Sequence, residues 1–351
     1  MASEWILTDS RTVLSEALLD TAFIWLKKQR KYFPADADIW HLWLHWPEEK
    51  WRILREVNTD RYNFSPVQLI CNRKGECHAI WSAADALVIR CIAIMIEPLL
   101  PSHPRCEHLR GHGGGPRSAH RMRRLIQERD FRYVCRTDIR HYYATIDKAC
   151  LYDQCCRYVI SPCLRHLLYQ FIHYSVEYGG NIHTPYRGIS RANALSPCLA
   201  ALHLYELDKL WDKHPSLWYV RYMDDIVILS TGRWHLRKAV KTLKAWLSRY
   251  GFQVHPEKTF IGRVSKGFDW MGAWISATGI EKIAPRTVSN HHNVLHRLYE
   301  QTRHLPELQQ QMRVEQYLVR WNRWAESLLG VKKPRDSCVR MPFKAGSQRL
   351  F

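Results

Sequence analysis

The sequence predicts an α+β fold in which helices back an antiparallel sheet. Two apolar runs, residues 217–220 and 226–229, flank an acidic pair and predict a β-hairpin with that pair at its turn. A short apolar strand over residues 131–138 also ends at a carboxylate. Apolar residues recur at helical spacing in three further segments, 83–99, 196–210 and 239–250.

The acidic pair, Asp224 and Asp225, is the first candidate for a functional site. Adjacent side chains on a strand point to opposite faces, so the two carboxylates share one site only if the turn re-aims them. Acids flanked by buried strands are costly unless a cation neutralises them, and a divalent metal that also binds phosphate oxygens is the obvious candidate. A solvated Asp-Asp turn is the alternative, and the pair alone is a weak signal.

The composition points to a polyanionic partner. A chain of 351 residues can bury a large core, as one articulated domain or as two to three subdomains. Its net charge of +19 favours nucleic acid, and 15 Trp with 17 Tyr suit base stacking as well as core packing. Eleven cysteines without a C-x-x-C pair indicate neither a disulfide framework nor a zinc ribbon.

The localisation expected from the sequence is cytoplasmic, without a membrane partner. The N-terminus lacks a basic-then-apolar signal pattern. The most apolar segment, residues 86–100, contains Arg90 and Glu97 and is too short and too charged to span a bilayer.

Five blocks follow one another along the chain: residues 131–147, 187–197, 221–230, 250–259 and 267–272. In this order and spacing they resemble the palm motifs of reverse transcriptases, closest to the bacterial group II intron, retron and defence-associated branch. The resemblance covers roughly residues 55–280. It implies a right-hand polymerase, with fingers and palm over residues 57–282 and a helical thumb over 283–330. A helical extension (1–56) and a basic tail (331–351) would flank them.

Three further segments outside the palm motifs read as helices: 8–32, 287–304 and 307–329. Three of the four tryptophans between residues 40 and 51 also have helical spacing, which favours packing over base stacking.

The resemblance implies an RNA-directed DNA polymerase that uses dNTPs and two Mg²⁺ ions. The expected catalytic residues and metal ligands are Asp138 and Asp224, with Asp225 completing or orienting the cluster. Ile139 would add a backbone carbonyl to the metal site. Two other acids, Asp147 and Asp208, are poorer candidates because each sits where a helix or its start can simply expose it.

The resemblance also implies a set of nucleotide-binding residues: Arg73, Lys74, Tyr143, Ala192 and Lys258. Tyr143 would block a ribose 2′-hydroxyl, with a plain core aromatic as the alternative. Arg73 and Lys74 lie at the tip of a predicted hairpin, and Lys258 would stabilise charge or donate a proton near the triphosphate, unless it is simply solvated.

The implied template and primer contacts are Arg110, Gly115, Arg117, Arg191, Tyr222, Met223, Trp270 and Gly272. The first three belong to a glycine-rich stretch, residues 108–120, that enters a helix and can hold a phosphate or form a plain flexible loop. One block departs from the family, which usually has Pro-Gln-Gly where this chain has Ser190, Arg191 and Ala192.

That departure favours a specialised bacterial enzyme in anti-phage defence, which copies its own structured non-coding RNA into cDNA. Two alternatives stay open: untemplated or RNA synthesis on the same palm, and an RNA-binding or splicing-helper protein.

Overall fold

A computed structural model describes residues 13–71, 77–109 and 111–330. The chain divides into two compact units. The first contains the described residues up to 112 together with 131–262, and the second contains residues 113–130 and 263–330. The boundaries expected from the sequence, at residues 57, 283 and 331, stay a prediction.

The secondary structure of the described residues mixes helices and strands. The helices are α1 (Glu16–Gln29), α2 (Asp38–Leu44), α3 (Trp46–Asn58), α4 (Ala83–Ile96), α5 (Gly114–Glu128), α6 (Tyr142–Thr145), α7 (Lys148–Cys156), α8 (Pro162–Ile172), α9 (Ser196–His203), α10 (Tyr205–Asp208), α11 (Arg233–Arg249), α12 (Pro285–Thr302) and α13 (Glu307–Leu329). The strands are β1 (Val67–Cys71), β2 (Cys77–Ile80), β3 (Tyr133–Asp138), β4 (Val176–Tyr178), β5 (Asn181–His183), β6 (Leu217–Tyr222), β7 (Asp225–Ser230), β8 (Phe260–Arg263), β9 (Phe268–Trp270), β10 (Ala273–Ser276) and β11 (Gly279–Ile283).

The main sheet of the first unit has the strand order β6-β7-β3-β8. β7 is antiparallel to both β6 and β3, and the register places Asp225 opposite Tyr222 on one side and Asp138 on the other. Ile226 and Ile228 join the hydrophobic core with the buried side of α11. The α+β class and the hairpin predicted from the apolar runs are thus confirmed.

Two predicted helices have different bounds in the first unit. The helix expected over residues 196–210 is interrupted at Leu204, so that the short α10 follows α9. The helix expected over 239–250 begins earlier, at Arg233. The interruption has a tertiary origin, because it turns the buried Asp208 toward β6.

The N-terminal helices α1 and α2 pack against α4, and α3 packs against α1 and α2. The helix predicted over residues 8–32 begins only at Glu16, where the Ser15 side chain caps it by accepting a hydrogen bond from the Leu18 amide. Trp46 packs as expected and stacks on Phe23 at 3.7 Å between ring centroids. The packing prediction is wrong for Trp43, which is 49% exposed.

A second sheet of the first unit has the order β2-β1-β4-β5. β1 and β2 are antiparallel, as predicted for the hairpin, while β1 runs parallel to β4. The predicted nucleotide-binding residues Arg73 and Lys74 lie outside the described residues.

The second unit combines the sheet β11-β10-β9 with α5, α12 and α13. The two C-terminal helices agree with their predicted spans, and Pro306 separates them. Among the residues that the structure describes, no helix combines the length and apolar character needed to cross a lipid bilayer.

Candidate active site

Three carboxylates meet where β3 ends and the β6–β7 hairpin turns. Asp138 is the last residue of β3, Asp224 lies in the turn, and Asp225 begins β7. One oxygen of each lies within 4.8 Å of the other two. Met223 has φ = 54°, a left-handed conformation that allows this tight turn between the strands. The turn thus brings together two neighbouring acids that a straight strand would separate.

Hydrogen bonds from three other parts of the first unit fix the turn. The Met223 amide donates to His108 Nδ1 at 3.1 Å, and the Met223 carbonyl accepts from Arg221 Nη1 at 3.0 Å. The amide of Ile139, the predicted carbonyl ligand, donates to the Asp224 carbonyl at 3.0 Å. The acids are therefore positioned by hydrogen bonds to the backbone of Met223 and Asp224.

Behind the turn lies a buried ion pair between Arg221 and Asp208, whose side chains are 0% and 1% exposed. Arg221 Nε donates to Asp208 Oδ1 at 2.8 Å, and the hydroxyl of Tyr219 donates to the same oxygen at 2.8 Å. Asp208 was expected to be exposed on a helix, and this is wrong. Since it already accepts these donors, Asp208 acts on the site through Arg221 and the Met223 carbonyl.

Burial and mutual repulsion make the ionised carboxylates of this cluster unfavourable unless a cation lies nearby. Burial, together with the neighbouring acids, raises the pKa of Asp225 to about 6 and also raises the pKa of Asp224. Two cations offset part of the charge: Arg136 Nη2 lies 3.0 Å from Asp225 Oδ1, and Lys258 Nζ lies 3.1 Å from Asp138 Oδ2.

Arg136 was not among the predicted site residues. A signal for it exists, because Arg136 and Asp138 are two apart on β3 and so share one face of the sheet.

The residues of this cluster fit a divalent metal ion. Carboxylate oxygens are the ligands that hard cations such as Mg²⁺ prefer, and three of them converge here. Within the described part of the chain, the Asp224 side chain has no ion-pair partner, so its oxygens are available to a metal. Asp138, Asp224 and Asp225 can therefore hold a divalent cation.

A sequence profile described as reverse transcriptase (RNA-dependent DNA polymerase) matches residues 89–275, just over half of the chain. The chain belongs to the reverse transcriptase family. The predicted family is thereby confirmed, whereas its group II intron, retron or defence branch stays a prediction.

Among solved structures, this reverse transcriptase is similar to an apo telomerase from Candida tropicalis truncated from its C-terminal domain, with 14% sequence identity and a TM-score of 0.44. The match covers 57% of this chain and 45% of the telomerase chain, so it spans less than half of that structure's length. A search of curated proteins finds no match.

Tyr143, the predicted ribose gate of the reverse transcriptase, lies in α6 and is 8% exposed. Burial raises its pKa to about 12, so the hydroxyl stays protonated at neutral pH. The guanidinium carbon of Arg191 lies 5.2 Å from the centre of the ring, a cation–π contact. The Tyr143 carbonyl also accepts the Ile189 amide at 2.9 Å, which links Tyr143 to the segment that departs from the family pattern.

That segment, Ser190 to Ala192, forms a turn that hydrogen bonds hold in place. Ser190 Oγ accepts from the indole of Trp81 at 2.9 Å, and the Ser190 carbonyl accepts from Asn193 Nδ2 at 2.9 Å. Ala192 has φ = 58°, the left-handed conformation that glycine adopts most easily, at a cost of about 1 kcal/mol for alanine. The backbone shape that a glycine would permit is therefore kept without the glycine.

The remaining predicted site residues are distributed over both units. Tyr222 is partly buried at the end of β6, and Arg110 lies outside the described residues. Gly115, Arg117, Trp270 and Gly272 belong to the second unit. The indole of Trp270 is buried there and donates to Ser118 Oγ at 2.8 Å, so a primer contact at Trp270, which stays a prediction, would go through its backbone.

Two buried histidines are held neutral. Burial lowers the pKa of His108 and of His203 to about 4 in each case. Since His108 Nδ1 accepts the Met223 amide, its proton lies on Nε2, which faces the Pro197 carbonyl at 3.1 Å.

The two buried histidines should destabilise the reverse transcriptase as the pH drops from 6.5 toward 4. In this window the unfolded chain binds protons at His108 and His203 that the folded chain does not, so each histidine removes up to about 2 kcal/mol at pH 5. Denaturant unfolding at pH 7 and pH 5 measures the loss. His108→Asn, whose Oδ1 can still accept the Met223 amide, should show a smaller loss than wild type, and an equal loss would contradict the assignment.

Proposed function

We propose that this reverse transcriptase is an RNA-directed DNA polymerase that synthesises cDNA by nucleotidyl transfer. The observation that carries the proposal is the convergence of Asp138, Asp224 and Asp225 at one turn. A right-hand arrangement fits this reading, with fingers and palm over residues 57–282 and a thumb over 283–330. The net charge of +19 supports a nucleic acid substrate.

The reaction is an in-line attack of a primer 3′-oxygen on the α-phosphate of a dNTP, with release of pyrophosphate. When bound at the three carboxylates, two Mg²⁺ ions would lower the pKa of the attacking hydroxyl and stabilise the attacking and leaving oxygens. Arg136 orients Asp225 by its ion pair. Lys258, partly exposed beside Asp138, donates a hydrogen bond or proton to the departing pyrophosphate.

Tyr143 would exclude ribonucleotides by occupying the space that a 2′-hydroxyl needs. Its ring is fixed by burial and by the contact with Arg191, so the exclusion does not depend on a mobile side chain.

Tyr143→Ala should therefore lower discrimination against rNTPs by about ten- to a hundredfold. The measurement is the ratio of kcat/KM for dGTP and rGTP on one primer–template. Tyr142→Phe is the matched control, because Tyr142 is fully buried and its hydroxyl bonds to the Ala200 carbonyl. Unchanged discrimination in Tyr143→Ala would remove the gate assignment.

The template would be a dedicated structured non-coding RNA, used in bacterial anti-phage defence. The turn from Ser190 to Ala192 supports specialisation, because Arg191 places a cation beside the gate where the family has an uncharged Gln. A template or primer phosphate is the partner that this cation suits.

The deciding experiment is nucleotide incorporation by purified protein with Mg²⁺ and no added template, followed by sequencing of the product. The Asp224→Asn protein is assayed in parallel. DNA copied from one co-purifying RNA would support the proposal and identify the template. Products without a template match would favour untemplated synthesis. A bound RNA without any product would favour the RNA-binding alternative.

A further inference from the structure

The outer face of α11 is a continuous cationic surface that has no part in the proposed catalytic mechanism. Its inner face packs into the core through Leu236, Ala239, Leu243 and Leu247. Six exposed cations occupy the other face: Arg233, Arg237, Lys238, Lys241, Lys244 and Arg249. At 3.6 residues per turn they fall within less than half of the helix circumference, along about 25 Å. The helix contains no Asp or Glu.

Within the described part of the chain, none of these six cations has an ion-pair partner. Two other cations of the first unit, by contrast, have acidic partners: Lys50 pairs with Glu16 and Asp20, and Lys209 pairs with Glu206. A merely solvated helix face usually mixes both signs of charge, as α3 does. The face of α11 is therefore suited to a polyanion.

An exposed aromatic side chain lies on the same face, near the N-terminus of α11. Trp234 is 70% exposed, and the guanidinium carbon of Arg237 lies 5.6 Å from the centre of its ring. An exposed indole among cations provides a surface on which a base or sugar can stack, in addition to phosphate contacts.

The position of α11 separates this face from the carboxylate cluster. β7 runs from Asp225 to Ser230, about 17 Å at 3.4 Å per residue, and α11 begins three residues later. The chain then returns, and Arg140 donates its amide to the Gln253 carbonyl beside the cluster. The N-terminal half of α11 thus lies at the end of the sheet remote from the catalytic acids.

We propose that the outer face of α11 binds the sugar–phosphate backbone of a folded RNA at a place separate from the site of synthesis. The choice of RNA as the polyanion rests on the proposed function, whereas the surface itself does not. Such a contact would retain the template RNA on the protein while a different part of it is copied.

The test compares two triple variants. Arg237→Gln/Lys238→Gln/Lys241→Gln removes unpaired cations of α11 and keeps good helix formers. The control, Lys50→Gln/Arg52→Gln/Lys209→Gln, removes the same charge from cations that have acidic partners. The probes are a long RNA hairpin, for binding across a range of salt concentrations, and a short primer–template, for extension.

The α11 variant should bind the hairpin at least about tenfold more weakly. Its plot of log affinity against log salt should be shallower by about 2–3, since each lost phosphate contact removes roughly 0.7–0.9 from the slope. Its kcat/KM on the short primer–template should stay within about twofold of wild type. Trp234→Ala should weaken hairpin binding without changing the slope, because stacking releases no counterions.

A salt slope equal to that of wild type, or a loss shared by the control variant, would overturn the proposal. Loss of short primer–template extension in the α11 variant would overturn it too, because the face would then belong to the catalytic site. If wild type extends no primer but the two variants still differ in hairpin binding, the proposed function fails and the docking surface stands.

Discussion

Asp224→Asn is expected to lower the rate of nucleotide incorporation at least about a thousandfold, equivalent to about 4 kcal/mol of transition-state stabilisation. The same change should raise the melting temperature of the protein when divalent cations are chelated. Loss of activity with a gain in stability marks a residue kept for chemistry rather than for folding.

The gain in stability follows from the surroundings of Asp224. Burial raises the pKa of this carboxyl, and the nearby Asp138 raises it further, so ionised Asp224 is unfavourable in the folded protein. Its side chain has no ion pair among the described residues. Asn has nearly the same shape and removes the repulsion, while the backbone contact with Ile139 is unaffected.

Single-nucleotide extension measures the first effect, and thermal unfolding with a chelator or with Mg²⁺ measures the second. Mg²⁺ should raise the melting temperature of wild type more than that of Asp224→Asn, because ligand binding stabilises the folded state. Asp147→Asn is the matched control, since Asp147 caps α7 by accepting the Cys150 amide and Asn caps equally well. Normal incorporation by Asp224→Asn would contradict the metal-site assignment.

The sequence predicts those parts of the site that depend on local patterns, such as apolar runs and short motifs. The hairpin that carries Asp224 and Asp225 follows from two apolar runs, and the ordered motifs link it to Asp138. Local patterns cannot show which distant side chains support a turn. His108, for example, accepts the Met223 amide across 115 residues of sequence.

Exposure was equally hard to predict from helical spacing alone. Trp43 has the spacing of a packed residue, yet it lies on the outside of α2 and stacks on Trp40, with the Lys27 ammonium 4.9 Å from its ring centre. Asp208 shows the opposite error: an acid at a helix end is usually solvated, but Asp208 is buried. Its burial depends on the ion pair with Arg221. That pair forms only when α10 packs against β6, so helical spacing alone does not predict it.

Asp208→Asn is expected to destabilise the protein by about 3–5 kcal/mol, because it leaves the guanidinium of Arg221 buried without a counter-charge. Incorporation should fall as well, since Arg221 supports the turn through the Met223 carbonyl. A loss of activity in this variant alone could reflect poor folding. The double variant Asp208→Asn/Arg221→Met separates the two effects.

The double variant removes both buried charges, so its stability should recover by several kcal/mol toward wild type. Its kcat should stay about ten- to a hundredfold low, because no donor then holds the Met223 carbonyl and the acids are less well positioned. Denaturant unfolding and single-turnover extension measure the two quantities in the same preparations. Recovery of both would make the ion pair purely structural, whereas recovery of stability alone identifies Arg221 as the residue through which the buried pair positions the catalytic turn.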